Sequence, residues 1–173
     1  MEEDLLALKR RRVIFGHISS NPGTYLREME QALGLSVGDL QYHLGQLEKG
    51  GLVSIHDDGK RKGYFVASEI PYFDRRAIST IRMRTPRHII IFLLTHPDAT
   101  FGEILANFNF TKGALSFQLK RLVKSSMVAK GRKERESIYR VIEPERVSSL
   151  LVTYRASISD EVLDGVVDLL TRI

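Results

Sequence analysis

The chain carries one pattern twice, 75 positions apart. Residues 12–66 align with residues 87–141 without a gap, so that Arg12 falls on Arg87, Pro22 on Pro97, Glu28 on Glu103 and Gly38 on Gly113. Further on, Leu40, Leu44, Leu47, Lys49, Val53, Tyr64 and Val66 fall on Leu115, Leu119, Leu122, Lys124, Val128, Tyr139 and Val141. A fixed period signals one structural unit used more than once. This period is longer than a solenoid repeat, and two copies are too few to stack into one. It suits a small self-contained domain, so the chain reads as two tandem domains.

Within the first copy, Leu8, Val13, Ile14 and Ile18 give Leu8–Ser20 the spacing of an amphipathic helix. Asn21-Pro22-Gly23 stops it. Arg27–Leu33 reads as a short second helix, with Gly34 suited to a left-handed C-terminal cap. Ser36 is a natural N-cap for a third helix, in which Val37, Leu40, Leu44 and Leu47 form one buried stripe. Gly50-Gly51 ends it. Leu52–Ile55 and Tyr64–Ala67 read as strands joined by a polar turn that includes Asp57-Asp58-Gly59-Lys60-Arg61-Lys62. Helix, turn, helix, short turn, helix, hairpin is the order of a winged helix-turn-helix unit.

The second copy repeats that order. Thr85 is placed as an N-cap with Pro86 at the first helical position, and the helix continues through His88–Leu94 to a break at His96-Pro97-Asp98. Gly102–Phe108 is the second helix, and Thr111 caps the third, Lys112–Lys124. Val128–Gly131 and Ile138–Val141 flank a wing of residues 132–136. The expected fold is therefore mainly α with small β-hairpin wings: two tandem winged helix-turn-helix domains, at 8–67 and 86–142, plus C-terminal helices. The intervening 68–85 holds Ile70, Tyr72, Phe73, Ile78, Ile81 and Met83, too apolar for a free linker; it is expected to pack, partly helical, and to set how the domains sit.

The tail, 143–173, lies outside the repeat. Pro144 and Glu145 start a helix with Val147, Leu150, Leu151 and Tyr154 on one face, and Ser159 caps another with Val162, Val166, Leu170 and Ile173 on its stripe. Such a face covers a domain of its own chain or pairs with a second chain. Pairing is the favoured expectation, which makes Val147, Leu150, Leu151, Tyr154, Val162, Val166 and Leu170 candidate contacts of a homodimer.

Composition narrows the function classes. With 43% apolar and 27% charged residues, the 173-residue chain can bury cores. It has no cysteine, which removes disulfide frameworks, thiolate zinc sites and thiol redox chemistry. The acidic start, Met1-Glu-Glu-Asp, has the wrong charge for a signal peptide, and the longest apolar run, Ile89–Leu94, is too short to span a bilayer. A soluble cytoplasmic protein without membrane contact is expected. Net charge is +5, but +6 of it lies in 86–142, against +1 in 11–67 and −3 in 143–173. A basic domain beside an acidic tail suggests one surface for a polyanion and another for something else.

That polyanion surface can be drawn on the third helices. With the leucines inside, the first presents Gly38, Tyr42, Gly45, Gln46 and Lys49, with Gln41 at its edge. The second presents Gly113, Phe117, Lys120, Arg121 and Lys124, with Ser116 at its edge and Lys112 at its start. A helix fits the major groove of double-stranded DNA, where amide and basic side chains read base edges. Lys60, Arg61, Lys62, Arg132, Lys133 and Arg135 lie on the wings, within reach of phosphates, whose contacts position without specifying sequence. Lys49, Lys124 and the wing bases are assigned to positioning; Gln41, Gln46, Ser116, Gln118 and Lys120 to base contact. Charge reversal at Lys120 and Arg121 is expected to weaken binding more than changes at Gln41 and Gln46.

Bland alternatives stand beside these roles. Tyr42 and Phe117 are as well placed to cover a neighbouring helix as to touch DNA. His43 borders the buried stripe and suits packing or a phosphate better than a metal. His17, His56, His88 and His96 are scattered, so no metal and no cofactor is expected. Glycine-rich phosphate loops, nucleophile elbows and zincin motifs are missing, and Asp57-Asp58 is explained by its turn, so no enzyme is expected.

The run Ser36–Val53, SVGDLQYHLGQLEKGGLV, resembles the recognition-helix signature of ArsR- and MarR-like winged helix regulators. Thr111–Val128, TKGALSFQLKRLVKSSMV, is a degenerate second version, with Gln118 for the histidine and Ser-Met for the glycine-leucine. With the tail Pro144–Leu170, the layout is similar to archaeal tandem winged helix-turn-helix transcriptional regulators. The resemblance implies DNA binding and is silent on the operator. Metal-sensing ArsR members use Cys/His clusters that this sequence lacks, so metal sensing is not carried over. Two other readings remain open. One is a protein-interaction subunit of a chromosome-organising or transcription complex, favoured by Asp39 and Glu48 on or beside the first recognition helix. The other is an effector-responsive switch, hinted at by Tyr72 and Phe73.

Overall fold

Leucines at helical spacing organise both halves of the molecule. The computed structural model describes residues 8–158, and the chain divides after Ser79 into two units. In unit 1, α1 (Lys9–Ser20), α2 (Leu26–Leu33) and α3 (Val37–Lys49) precede a hairpin of β1 (Val53–Asp57) and β2 (Lys62–Val66). Its core joins Ile14 and Ile18 of α1, Met29 of α2, Leu40, Leu44 and Leu47 of α3, and Val53, Tyr64 and Val66 of the hairpin. Each fully buried aliphatic side chain contributes about 1.5–3 kcal/mol. The helix starts follow from local hydrogen bonds. Glu28 Oε2 accepts from the Tyr25 N–H (3.0 Å) and the Thr24 hydroxyl (3.1 Å) ahead of α2. Ser36 Oγ accepts from the Asp39 N–H (3.2 Å) at the head of α3. Gly34, at φ 63°, closes α2 in the left-handed conformation.

The segment after the hairpin forms α4 (Tyr72–Ile81), with Ile70, Ala77, Ile78 and Ile81 buried. Its unit 1 portion lies close to β2. A Cβ on Gly63 would sit 3.1 Å from Ser79 Oγ and 3.3 Å from the Phe65 ring, so only glycine leaves this approach unstrained. Arg75 donates to the carbonyls of Ile70 (2.7 Å) and Ala67 (2.6 Å), fastening the segment to the end of the hairpin. The side chain of Phe73 lies outside the described set.

Unit 2 contains α5 (Arg84–Thr95), β3 (Ala99–Thr100), α6 (Phe101–Asn107), α7 (Lys112–Lys124), β4 (Val128–Lys133), β5 (Glu136–Val141) and α8 (Pro144–Thr153), followed by a 3-10 turn, Arg155–Ser157. Thr111 Oγ1 caps α7 through the Ala114 N–H (3.2 Å), and Leu115, Leu119 and Leu122 are buried. The hairpin registers match at the 75-residue displacement: Val53 pairs with Val66 and Val128 with Val141, Ile55 with Tyr64 and Lys130 with Tyr139. The third strand matches too. Thr24 bridges Tyr64 as a single pair, whereas Ala99 and Thr100 pair with Tyr139 and Ile138, giving the order β3-β5-β4.

Several expectations need correction. The helix placed after a Thr85 cap starts at Arg84 with Met83 as its N-cap, so Pro86 is its third residue. Proline is tolerated there because the first helical N–H groups lack intrahelical partners. The wing expected over 132–136 is only a two-residue turn: Arg132 and Lys133 belong to β4, where Lys133 pairs with Glu136 across the ladder. An opposite-charge pair of this kind favours a strand that runs on.

The tail differs most. Val147 and Leu151 are fully buried by their own chain, so they have no surface left for a second copy. Leu150 and Tyr154 are half-buried and Val152 is exposed. Val162, Val166 and Leu170, with the helix expected after Ser159, lie outside the described residues.

Candidate nucleic-acid interface

In unit 1, α3 holds its leucines inward and presents Gln41, Tyr42 and Lys49 as exposed side chains, with Gln46 half-buried. Tyr42 is 61% exposed, so it covers no neighbouring helix. His43 is only 8% exposed, and its Nδ1 is enclosed without a hydrogen-bond partner among the described residues. It is withdrawn from the DNA contacts: three residues after Leu40 and four before Leu47, it sits on the inner border of the stripe. Its ring meets Tyr42 edge-on at 5.2 Å.

The wing is built by its own acids. Asp57 Oδ1 accepts from the Gly59 N–H (2.8 Å), and Asp58 Oδ1 accepts from the N–H groups of Lys60 (2.9 Å) and Arg61 (2.8 Å). Gly59, at φ 85°, takes the left-handed turn position. These bonds hold Lys60, Arg61 and Lys62 exposed at one tip. The Arg61 guanidinium lies 5.2 Å above the ring of Tyr25, a cation–π contact that restricts its swing. Between wing, α3 and the start of α2 runs a groove of about 930 Å³ that brings together Gln41, Gly45 and the three wing bases. Arg27 and Glu48 also line it. Sequence reasoning missed Arg27 because only the fold carries the start of α2 to the wing. Tyr64 closes the floor, and burial, aided by Glu48, pushes its phenol pKa up.

In unit 2, Lys112, Phe117, Lys120 and Lys124 are exposed on α7, and Ser116 is half-buried. Gln118, 75 positions from His43, is half-buried rather than buried, and its Oε1 is enclosed without a hydrogen-bond partner among the described residues, which makes it a weaker candidate for base contact. Arg121 is half-buried, and its Nη2 reaches Met83 Sδ at 3.6 Å, so part of its donor capacity is spent inside the unit. It is therefore a weaker DNA candidate than Lys120. Arg132, Lys133 and Arg135 are exposed, with Arg132 Nε donating to the Glu134 carbonyl at 3.2 Å.

The matching groove in unit 2 measures about 240 Å³ and is lined by Ser116, Lys120, Lys124, Lys130 and Tyr139, among others. Lys120 stands where unit 1 has Gly45, and Lys130 where it has Ile55. Lys130 was overlooked because it falls inside a strand rather than at the wing tip.

Residues 8–78 match a family model described as an N-terminal HTH domain. An HTH-type transcriptional regulator of Methanocaldococcus jannaschii is 29% identical over 144 residues, which cover 82% of this chain and 36% of that relative. The chain thus spans little more than a third of the curated relative it matches. Among solved structures, an ArsR family transcriptional regulator overlaps 51% of this chain and 91% of its own, at 15% identity and a TM-score of 0.39; an overlap this loose carries no further weight. The Methanocaldococcus protein is named as a regulator of transcription. No cluster of metal-ligating side chains occurs among the described residues, and no described helix is long and apolar enough to cross a membrane.

Proposed function

We propose that the chain is a sequence-specific regulator of transcription that binds double-stranded DNA through two winged helix-turn-helix domains. The observation that carries this reading is the recurrence, 75 residues apart, of an outward helix face beside a basic hairpin across a groove. In each unit an exposed lysine ends the helix, Lys49 or Lys124, and bases crowd the wing. Such a pair can place a helix in the major groove while the wing neutralises phosphate. The helix-turn-helix family match over 8–78 supports the same reading for unit 1. Gln41 and Gln46 are its base-contact candidates, with Ser116 and Lys120 in unit 2. Pairing of two chains belongs to the proposal through Leu150 and Val152 of α8 and Tyr154 at its end, not through Val147 and Leu151.

Binding of the full chain to a random-sequence 30-base-pair duplex, followed by anisotropy, tests the reading. Nonspecific dissociation constants of about 1–100 μM, weakening steeply with salt, are expected. No binding at 100 μM protein in low salt would overturn it. One observation favours a second reading, a protein-interaction subunit: Glu28 and Glu48 line the unit 1 groove opposite its bases, a mixed-charge surface that a protein partner can also match. That outcome would appear as absent DNA binding with both units folded.

A further inference from the structure

The outward faces of α3 and α7 diverge at Gln41/Ser116, Gly45/Lys120 and Gln46/Arg121, yet three pairs are kept in kind: Gly38 with Gly113, Tyr42 with Phe117, and Lys49 with Lys124. The lysines suit phosphate. The aromatic rings need another explanation, because Tyr42 is 61% and Phe117 is 48% exposed. A ring left in water forfeits the 1.5–3 kcal/mol that burial would bring. The fold leaves about half of each ring in water, at the same place in each unit.

The glycines four residues earlier are equally unexplained by packing. A Cβ on Gly38 would meet only Ser36 Oγ, at 4.0 Å, and one on Gly113 would meet nothing within 4 Å. Neither needs a left-handed backbone, since both lie in helix and neither is among the positive-φ residues. Glycine costs up to about 1 kcal/mol against alanine in a helix interior, and here each is the second residue of its helix. Helical side chains lean toward the N-terminus and cover the preceding turn. A glycine at that turn therefore bares the flank over which the ring leans, and lets a surface come close beside it.

Major-groove base edges offer hydrogen-bond donors and acceptors, and one apolar group: the C5-methyl of a pyrimidine. A hydrocarbon ring gains from the methyl and not from the polar edges. Resting on the DNA-binding reading above, we infer that Tyr42 and Phe117 are specificity-determining residues that read a C5-methyl pyrimidine in the major groove. Thymine presents that methyl, and so does 5-methylcytosine.

The test starts from a duplex site recovered by selection from a random pool with the full chain. That site is resynthesised with deoxyuridine at each thymine in turn, and affinity is measured by anisotropy. Removing one contacted methyl is expected to weaken wild-type binding about fourfold, the scale of one buried methyl group. Tyr42→Ala and Phe117→Ala should each abolish the sensitivity at one thymine while leaving both units folded by circular dichroism, and Tyr42→Phe should retain it. A cytosine in place of a sensitive thymine should bind more tightly when 5-methylated, which separates the methyl from the A·T pair as the feature read. Sites bound tightly but indifferent to deoxyuridine would overturn the inference and leave DNA binding standing. Failure to recover any site would remove the DNA-binding reading and this one with it.

Discussion

The two units differ most where they are built on equivalent positions. In unit 1 a groove of about 930 Å³ runs past Gly45 to the wing bases and the start of α2; in unit 2 a groove of about 240 Å³ is lined by Lys120, Lys124 and Lys130 and includes neither the wing tip nor the start of α6. Behind these surfaces the interiors agree: Ile14, Ile18, Met29, Leu40, Leu44 and Leu47 are matched in burial by Ile89, Leu93, Ile104, Leu115, Leu119 and Leu122. Packing tolerates little change in volume, whereas an exposed position is constrained only by what it touches outside the chain. Unit 1 is thus shaped to admit something close to its helix, and unit 2 to present charge.

The hairpins' other faces separate the units as well. Phe65 of β2 is fully buried in unit 1, while its counterpart Arg140 is exposed and paired with Asp98 at 2.9 Å. Unit 2 instead acquires α8, with Val147 and Leu151 fully buried. Ending the chain after Ile142 should therefore cost unit 2 about 3–6 kcal/mol, from two side chains at 1.5–3 kcal/mol each. A loss of that size unfolds a small domain. Hydrogen exchange should show unit 2 unprotected and unit 1 intact; full protection in both would show that α8 does not belong to the core.

Equivalence of the interiors can be broken by paired cavities. Leu44→Ala and Leu119→Ala should each destabilise their own unit by about 2–5 kcal/mol in denaturant titrations. Near-silence of either change would mean that the two cores are not alike. A finer contrast lies at the helix ends, where Gly51 has φ 72° and its counterpart Ser126 has φ 54°. A left-handed conformation penalises a residue bearing a Cβ, so Ser126→Gly should stabilise unit 2 by about 1 kcal/mol and Gly51→Ser should destabilise unit 1 by a similar amount. Equal signs for the two substitutions would contradict the backbone assignment.

The smallest contrast concerns pH. Burial is the main cause that lowers the His56 pKa; Arg76 and Arg75 lower it further, and Asp58 and Asp57 oppose them. The ring also meets Tyr72 edge-on at 6.0 Å. A histidine with a depressed native pKa favours the fold while neutral, so its contribution is complete above about pH 6.5 and declines as pH falls below that value. Unit 2 has Gly131 at the equivalent position. Melting between pH 7.5 and 5 should show an acid loss in unit 1 that His56→Asn reduces; an unchanged pH slope in that variant would assign the loss elsewhere.

Much of this architecture is legible in the sequence because short-range chemistry writes it. The caps Ser36 and Thr111, the leucine stripes and the wing acids act within four residues, and the third helices lie at Val37–Lys49 and Lys112–Lys124 as their periodicity predicts. Features that depend on a distant partner are not legible. Periodicity cannot say whether Val147 and Leu151 pack on their own chain or on another. A helical wheel puts His43 on a border, and only the packed neighbours bury it. Arg27 and Lys130 join the grooves through the fold, with no local signal to mark them.

Salt dependence tests the central claim most directly. Affinity for a fixed duplex would be followed from 50 to 200 mM salt for the wild type, for Lys112→Gln/Lys120→Gln/Lys124→Gln in unit 2, and for Lys49→Gln/Lys60→Gln/Lys62→Gln in unit 1. If unit 2 supplies the stronger phosphate contact, its variant should lose about 0.9 of log–log slope for each lysine on a phosphate, and the unit 1 variant should lose less. A wild-type slope near zero, or an equal or larger loss from the unit 1 changes, would contradict the account.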